Sequence, residues 1–146
     1  MPVTPAEFCA ARNTTRKTGA THQEICSVER SIGAALPPEL RAFLAFSNGL
    51  SGFVGPEDNG WYIRIFSTTE LLDVHAQPAI KDQWPELIQF GGNGAGEGFF
   101  FDPTRNGPPV LMIEYASDGH ADHIAYASNM SEFFERMHTG FNPYRE

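Results

Sequence analysis

Apolar residues recur at helical spacing through the first third of the chain. After Thr21, Ile25, Val28 and Ile32 fall at i, i+3 and i+7, which sets them on one face and turns Glu29 and Arg30 outward. Thr21-His22-Gln23-Glu24 precedes them as a capping box, and Gly33 ends the helix. Pro37-Pro38 opens a second helix, since a ring-fixed φ and a missing N–H are tolerated in the first turn. Leu40, Phe43 and Leu44 are its buried stripe, and Asn48-Gly49 predicts a left-handed C-terminal cap. Upstream, Thr4-Pro5-Ala6-Glu7 starts another helix, so residues 1–20 read as a helical extension that ends in a polar linker over 13–19.

From Ser51 the period shortens toward two. Trp61–Phe66 reads as a strand, and Ser67-x-x-Glu70 caps a short helix carrying Leu71, Leu72 and Val74. Leu87–Phe90, Gly98–Asp102, Val110–Tyr115 and His123–Ala127 are four further strands, separated by Gly, Pro, Asn and Asp clusters. Asn129-x-x-Glu132 caps a last helix with Met130, Phe133, Phe134 and Met137 inward. Short turns without long crossovers imply antiparallel pairing, hence an α+β fold with helices packed on one side of the sheet. One domain over 21–138 follows, with 139–146 as a tail. Leu40, Phe43, Leu44, Phe66, Leu71, Phe101, Ile113, Phe133 and Phe134 are the expected core.

At 146 residues, 41% hydrophobic and 12% aromatic, the chain can bury a core without staples. No apolar run approaches the ~20 residues of a membrane-spanning helix, and the N-terminus lacks the basic and apolar regions of a secretory signal, so a cytoplasmic protein is expected. Cys9 and Cys26 form no C-x-x-C pair and read as buried free thiols. The formal net charge of −8 is unevenly spread: residues 1–50 carry net +1 and residues 51–146 net −9. That field repels phosphate backbones and favours a basic protein partner over nucleic acid.

Candidate chemistry is sparse. The run Gly91–Gly98 has neither dinucleotide nor P-loop spacing and leads into a strand, so it reads as a tight turn or bulge. His120, Asp122 and His123, with Asp118 and Glu114 nearby, are metal-ligand types, but strand alternation sends Asp122 and His123 to opposite faces. A hairpin turn over Ser117–His120 is the reading preferred, and no metal or cofactor is expected. Cys26 follows His22 by one helical turn, which allows a thiol–imidazole pair, yet it flanks the buried face. Glu97 and Asp102 are the remaining carboxylates with acid/base potential.

The spacing Ile25-x-x-x-Glu29-x-x-x-Gly33-x-x-Leu36-Pro37-x-x-Leu40-x-x-Phe43-Leu44-x-x-x-Asn48-Gly49 resembles the opening motif of the SUKH superfamily, in its Smi/Knr-type branch. Phe66 with Glu70-Leu71, Phe90-Gly91, the turn Gly94–Gly98, Phe101-Asp102, Ala127-Ser128 and Phe133-Phe134 extend it over residues 21–138. The resemblance implies an α+β domain that works by binding: bacterial members resemble immunity proteins that neutralise a cognate toxin, often a nuclease, and fungal members act as scaffolds. None is an established enzyme. The expectation is therefore a non-enzymatic protein that binds a basic toxin domain. The alternative is a sensing or scaffolding module for another protein or a small ligand, and a distant third is a hydrolase using Glu97, Asp102 or the His120–His123 cluster. The extension 1–20 and the segment Val74–Pro85 depart from the simplest family pattern.

Two acidic loops are the expected recognition surface, 51–62 and 114–123. They contribute Glu57, Asp58, Trp61, Tyr62, Glu114, Asp118 and Asp122, and Glu97 is added from the strand between them.

Overall fold

Among the described residues seven strands pair in chain order, each antiparallel to the one before. They are β1 (Thr14–Arg16), β2 (Leu50–Val54), β3 (Trp61–Ile65), β4 (Ile88–Gly92), β5 (Glu97–Phe101), β6 (Val110–Glu114) and β7 (His123–Ala127). The six strands β2–β7 make the body of the sheet, and three-residue β1 extends its edge. Six helices accompany them among the described residues: α1 (Pro5–Cys9), α2 (His22–Ile32), α3 (Pro38–Phe46), α4 (Thr68–His75), α5 (Pro78–Gln83) and α6 (Met130–His138). The computed structural model describes residues 3–10, 14–54, 61–115 and 123–139. None of the described helices is long and apolar enough to cross a membrane.

The expected capping boxes at Thr4, Thr21 and Ser67 all form, each with its Glu three residues on closing the reciprocal bond. Gly33 ends α2 at φ 75°, a conformation that costs a residue with a Cβ. Asn48-Gly49 does different work from the expected cap. α3 stops at Phe46 and the chain extends at Ser47. Asn48 instead clamps the start of α4: its Oδ1 accepts from Thr68 N (2.8 Å) and its amide donates to Thr68 Oγ1 (3.3 Å). Glu29 also departs from its outward reading. Its Oε2 accepts from Leu36 N (2.8 Å) and lies 3.5 Å from Arg41 Nε, so it ties the α2–α3 joint together.

The main core lies between one sheet face and the helices. Leu50, Ile63, Ile65, Phe90, Phe99, Phe101 and Met112 face Ile25, Val28, Leu40, Phe43, Leu44 and Leu71 there. Phe133 is the hub of its aromatic packing, with ring centroids 5.0 Å from Phe90, 5.1 Å from Phe99 and 5.2 Å from Phe134. All nine expected core residues are buried, Ile113 in a second, smaller cluster with Trp84 and Phe100 on the other face.

Three expectations change. The 13–19 linker supplies β1, which pairs with β2. The Arg16 guanidinium locks it further, donating to Phe46 O (3.1 Å) and sitting 3.8 Å from the Phe46 ring. The loop expected from Ser51 begins as β2, in register with β3 from Leu50↔Ile65 to Val54↔Trp61. The segment Val74–Pro85 holds α5, whose Ile80, with Trp84 just after it, packs against the second face. The residues set apart by sequence as an extension join the same core through Phe8, which is 0% exposed.

Candidate functional site

Strand alternation sends Ser51, Phe53, Tyr62, Arg64, Gln89, Gly98, Phe100, Ile113 and Tyr115 to the face opposite the main core. α5 covers the part of that face over Phe100 and Ile113. Its uncovered part holds the large hydrophobic residues that remain exposed: Phe53 at 52%, Tyr62 at 36% and Tyr115 at 41%. Phe53 and Tyr62 are register partners and meet edge to face at 5.7 Å.

A glycine turn separates Tyr62 from Tyr115. Gly94 lies under Tyr62, where a Cβ would come within 2.9 Å of the ring. Its φ of 71° excludes most side chains independently. A Cβ on Gly92 would sit 2.9 Å from Glu97 O and 3.4 Å from Tyr115 Oη. Gly92 and Gly98 are register partners, and the space a side chain would take on Gly98 is filled by Gln89 and Phe100, 2.5 and 2.9 Å from where its Cβ would stand. Asn93 ties the turn from within: its Oδ1 accepts from Ala95 N (2.9 Å) and Glu97 N (3.2 Å), and its amide donates to Glu97 Oε1 (2.6 Å). The reading of Gly91–Gly98 as a turn with a bulge holds, the register shifting between Gln89 and Gly91.

Beside this turn lies a cavity of about 460 Å³ lined by Arg64, Phe66, Glu70, Asp73, Val74, Gln77, the turn glycines and Tyr115. A second, of about 350 Å³, shares Phe66, Val74, Gln77 and Tyr115 with it and runs on to Ile80, Gln83, Trp84 and Gln89. Together they form a trench between the sheet and the α4–α5 segment. Arg64 forms an ion pair with Glu70, whose other oxygen accepts from Ser67 N (2.9 Å). Gln89, 3% exposed, donates to Gly91 O (3.0 Å) and to Tyr115 Oη. Burial pushes the Tyr115 phenol pKa up, the Gln89 hydrogen bond and nearby Arg64 oppose this, and the Glu97 charge adds to it.

Of the expected site residues, Tyr62, Glu97 and Glu114 lie at one end of the sheet, Tyr62 on the uncovered face and Glu97 and Glu114 on the other, directly opposite each other in the β5–β6 ladder. Trp61 is placed only as a backbone position of β3, and Glu57, Asp58, Asp118 and Asp122 lie outside the described residues, as does His120. The strand ends that border the two expected loops, Val54 and Trp61 for one and Glu114 and His123 for the other, lie at the same end of the sheet as the glycine turn. Phe53, Arg64, Glu70, Asp73, Gln89 and Tyr115 were not singled out. Phe53 opposite Tyr62 is visible only once 50–65 is recognised as a hairpin, and Ser67-x-x-Glu70 reads as a cap without showing that its carboxylate also reaches Arg64.

The chemical alternatives fare differently. Glu97 and Asp102 flank the length of five-residue β5, which at ~3.3 Å per residue keeps them roughly 16 Å apart, too far for a carboxylate pair to share one bond. Asp102 instead makes a local turn, accepting from Thr104 N (2.9 Å) and Oγ1 (2.7 Å). Cys26 is half-buried rather than buried, with Sγ 3.4 Å from His22 Nε2. Cys9 is half-buried too, and burial raises its thiol pKa. Among the described residues no three His, Cys, Asp or Glu side chains group as metal ligands.

The model of the SMI1/KNR4 family (SUKH-1) matches residues 19–136, from just before α2 to the last turn of α6. No curated protein matches the chain.

Proposed function

The chain belongs to the SMI1/KNR4 family (SUKH-1), whose members are commonly immunity proteins, and from that membership we propose that it is a cytoplasmic, non-enzymatic immunity protein. It neutralises a cognate bacterial toxin, such as a nuclease, by binding a basic domain of it. The observation that carries this reading is the uncovered sheet face with exposed Phe53, Tyr62 and Tyr115, at the end of the sheet where Glu97 and Glu114 stand opposite each other on its other face. Aromatic residues rimmed by charge are the composition of protein interfaces rather than of idle surface. Glu57, Asp58, Trp61, Asp118 and Asp122 belong to the same proposed surface through the loops that end beside it.

The test is protection and capture. Cells making the toxin encoded beside this gene should survive when they also make this protein, and the pair should copurify. Glu97→Lys with Glu114→Lys should slow association and lessen its salt dependence, while Tyr62→Ala should mainly speed dissociation. Full protection by all of these variants would move the interface off this face. The trench favours a second reading, a sensing or scaffolding module, which predicts a thermal shift with a small ligand and no protection against any neighbouring toxin.

A further inference from the structure

His22 and Cys26 stand one turn apart on α2, and neither belongs to the packed core or to the aromatic sheet face. The imidazole is exposed and the thiol half-buried, so both reach solvent. Cys9 differs, since it packs against the core. α2 turns Ile25 and Val28 into the main core, which puts the pair on the helical side of the molecule, across the sheet from Phe53, Tyr62 and Tyr115.

The separation of the two side chains carries the inference. Cys26 Sγ lies 3.4 Å from His22 Nε2. An ion held at the usual Zn–S and Zn–N lengths of ~2.3 and ~2.05 Å, with a tetrahedral angle between them, needs these atoms about 3.6 Å apart. The i, i+4 spacing therefore brings both donors to one ion without a change of backbone. The turn that carries them is fixed by its capping box, Glu24 N donating to Thr21 Oγ1 (3.1 Å) and Thr21 N to Glu24 Oε1 (2.8 Å), so the ligands stand on a rigid element.

The chemistry of the donors selects the ion. Thiolate and imidazole suit zinc and ions of similar softness, whereas magnesium and calcium require oxygen ligands. Glu29, on the next turn, is tied to Leu36 N and Arg41, and among the described residues no third His, Cys, Asp or Glu joins the pair. Two positions of a tetrahedral ion are left to water.

We propose that His22 and Cys26 form a two-ligand site for zinc or a divalent ion of similar softness. On binding, the Cys26 thiol releases its proton to solvent as the Sγ–metal bond forms. Neutral His22 offers the Nε2 lone pair and keeps its hydrogen on Nδ1. The site goes beyond the proposed partner face and does not depend on it.

The full chain, kept reduced, is titrated with cobalt(II), whose thiolate complexes have a charge-transfer band in the near ultraviolet, and the ¹⁵N-labelled chain is titrated with zinc(II). One cobalt per chain is expected, with a dissociation constant on the order of 10–100 µM because only two ligands come from the protein, and zinc should displace it. Zinc should shift amides concentrated in residues 21–27. Cys26→Ser should remove the band, and His22→Gln should weaken binding by about tenfold or more; both side chains lie outside the packed core. The zinc shifts are read on the parent chain, so the result does not hang on how the variants fold. Absence of the thiolate band at about 1 mM cobalt, its survival in Cys26→Ser, indifference to His22→Gln, or zinc shifts centred on 114–123 in place of α2 would each overturn the proposal.

Discussion

Phe8→Ala measures whether the first twenty residues belong to the cooperative core. Phe8 is 0% exposed and meets Phe43 at 5.7 Å and 87° and Phe134 at 5.3 Å and 90°, both edge to face. Burying the ring contributes about 1.5–3 kcal/mol, and each edge contact adds roughly 0.5–1.5. The total agrees with the ~3–5 kcal/mol that Phe→Ala costs in packed cores. α1 cannot resist this loss alone, since five residues are far too few for an isolated helix and its Thr4 cap contributes only ~1 kcal/mol. β1 follows α1 in the chain and pairs with β2 through three residues, so it depends on the same anchor. For a domain of this size the thermal midpoint should fall on the order of 10–15 °C, read by circular dichroism. A midpoint within about 2 °C of the parent, with hydrogen-exchange protection lost only in α1 and β1, would show that the segment opens by itself and would refute its place in the cooperative unit.

Asn48→Ala removes the clamp on Thr68 and should cost about 1–2 kcal/mol in denaturant unfolding, with Asn48→Asp costing less because it keeps the acceptor for Thr68 N. Glu7 and Glu132 are both held below the ordinary carboxyl pKa of 4.5, chiefly by the backbone N–H groups of Thr4 and Ser128. A folded-state pKa lowered in this way stabilises above the unfolded value and is lost as pH falls through the folded one, so stability should drop below about pH 4.5, and NMR titration should show both carboxyls ionising low. Glu114→Gln should raise stability by about 0.2–1 kcal/mol by relieving its repulsion with Glu97 while weakening capture of the basic partner; a variant that loses stability would contradict the repulsion.

The helices were legible because their signals are local. Thr4, Thr21 and Ser67 each sit three residues before a Glu, and a cap needs nothing beyond its own turn. β1 and β2 were missed for the opposite reason. Thr14–Arg16 and Leu50–Val54 carry weak alternation, and what makes them strands is pairing, Thr15 against Ser51, 36 positions on in sequence. α5 was hidden as well, because none of its own residues is buried and Trp84, just beyond it, does the anchoring. Asn48-Gly49 shows the limit of a local reading: its spacing after α3 fits a C-cap, but Gly49 has Ser67 N 2.9 Å from where a Cβ would stand, so its conformation serves the junction with α4 instead.

The site was legible as a set of acids and aromatics, and illegible as a surface, because a meander decides which connections share an end. With strands in chain order, the β2–β3, β4–β5 and β6–β7 connections all leave the same end of the sheet, whereas β3–β4 and β5–β6 leave the other. The strand ends at Val54 and Trp61, at Gly92 and Glu97, and at Glu114 and His123, scattered in sequence, are therefore brought to one end by topology alone. Packing accounts for the glycines there, but stability gives no reason for the facing acids and the exposed rings. Two carboxylates face each other and three aromatic rings remain in water. Each of these departures weakens a sheet, while five-residue β5 keeps Phe99, Phe100 and Phe101 fully packed immediately beyond. That cost is concentrated at one end, next to strands that otherwise pack without compromise, and the partner proposed above would offset it there.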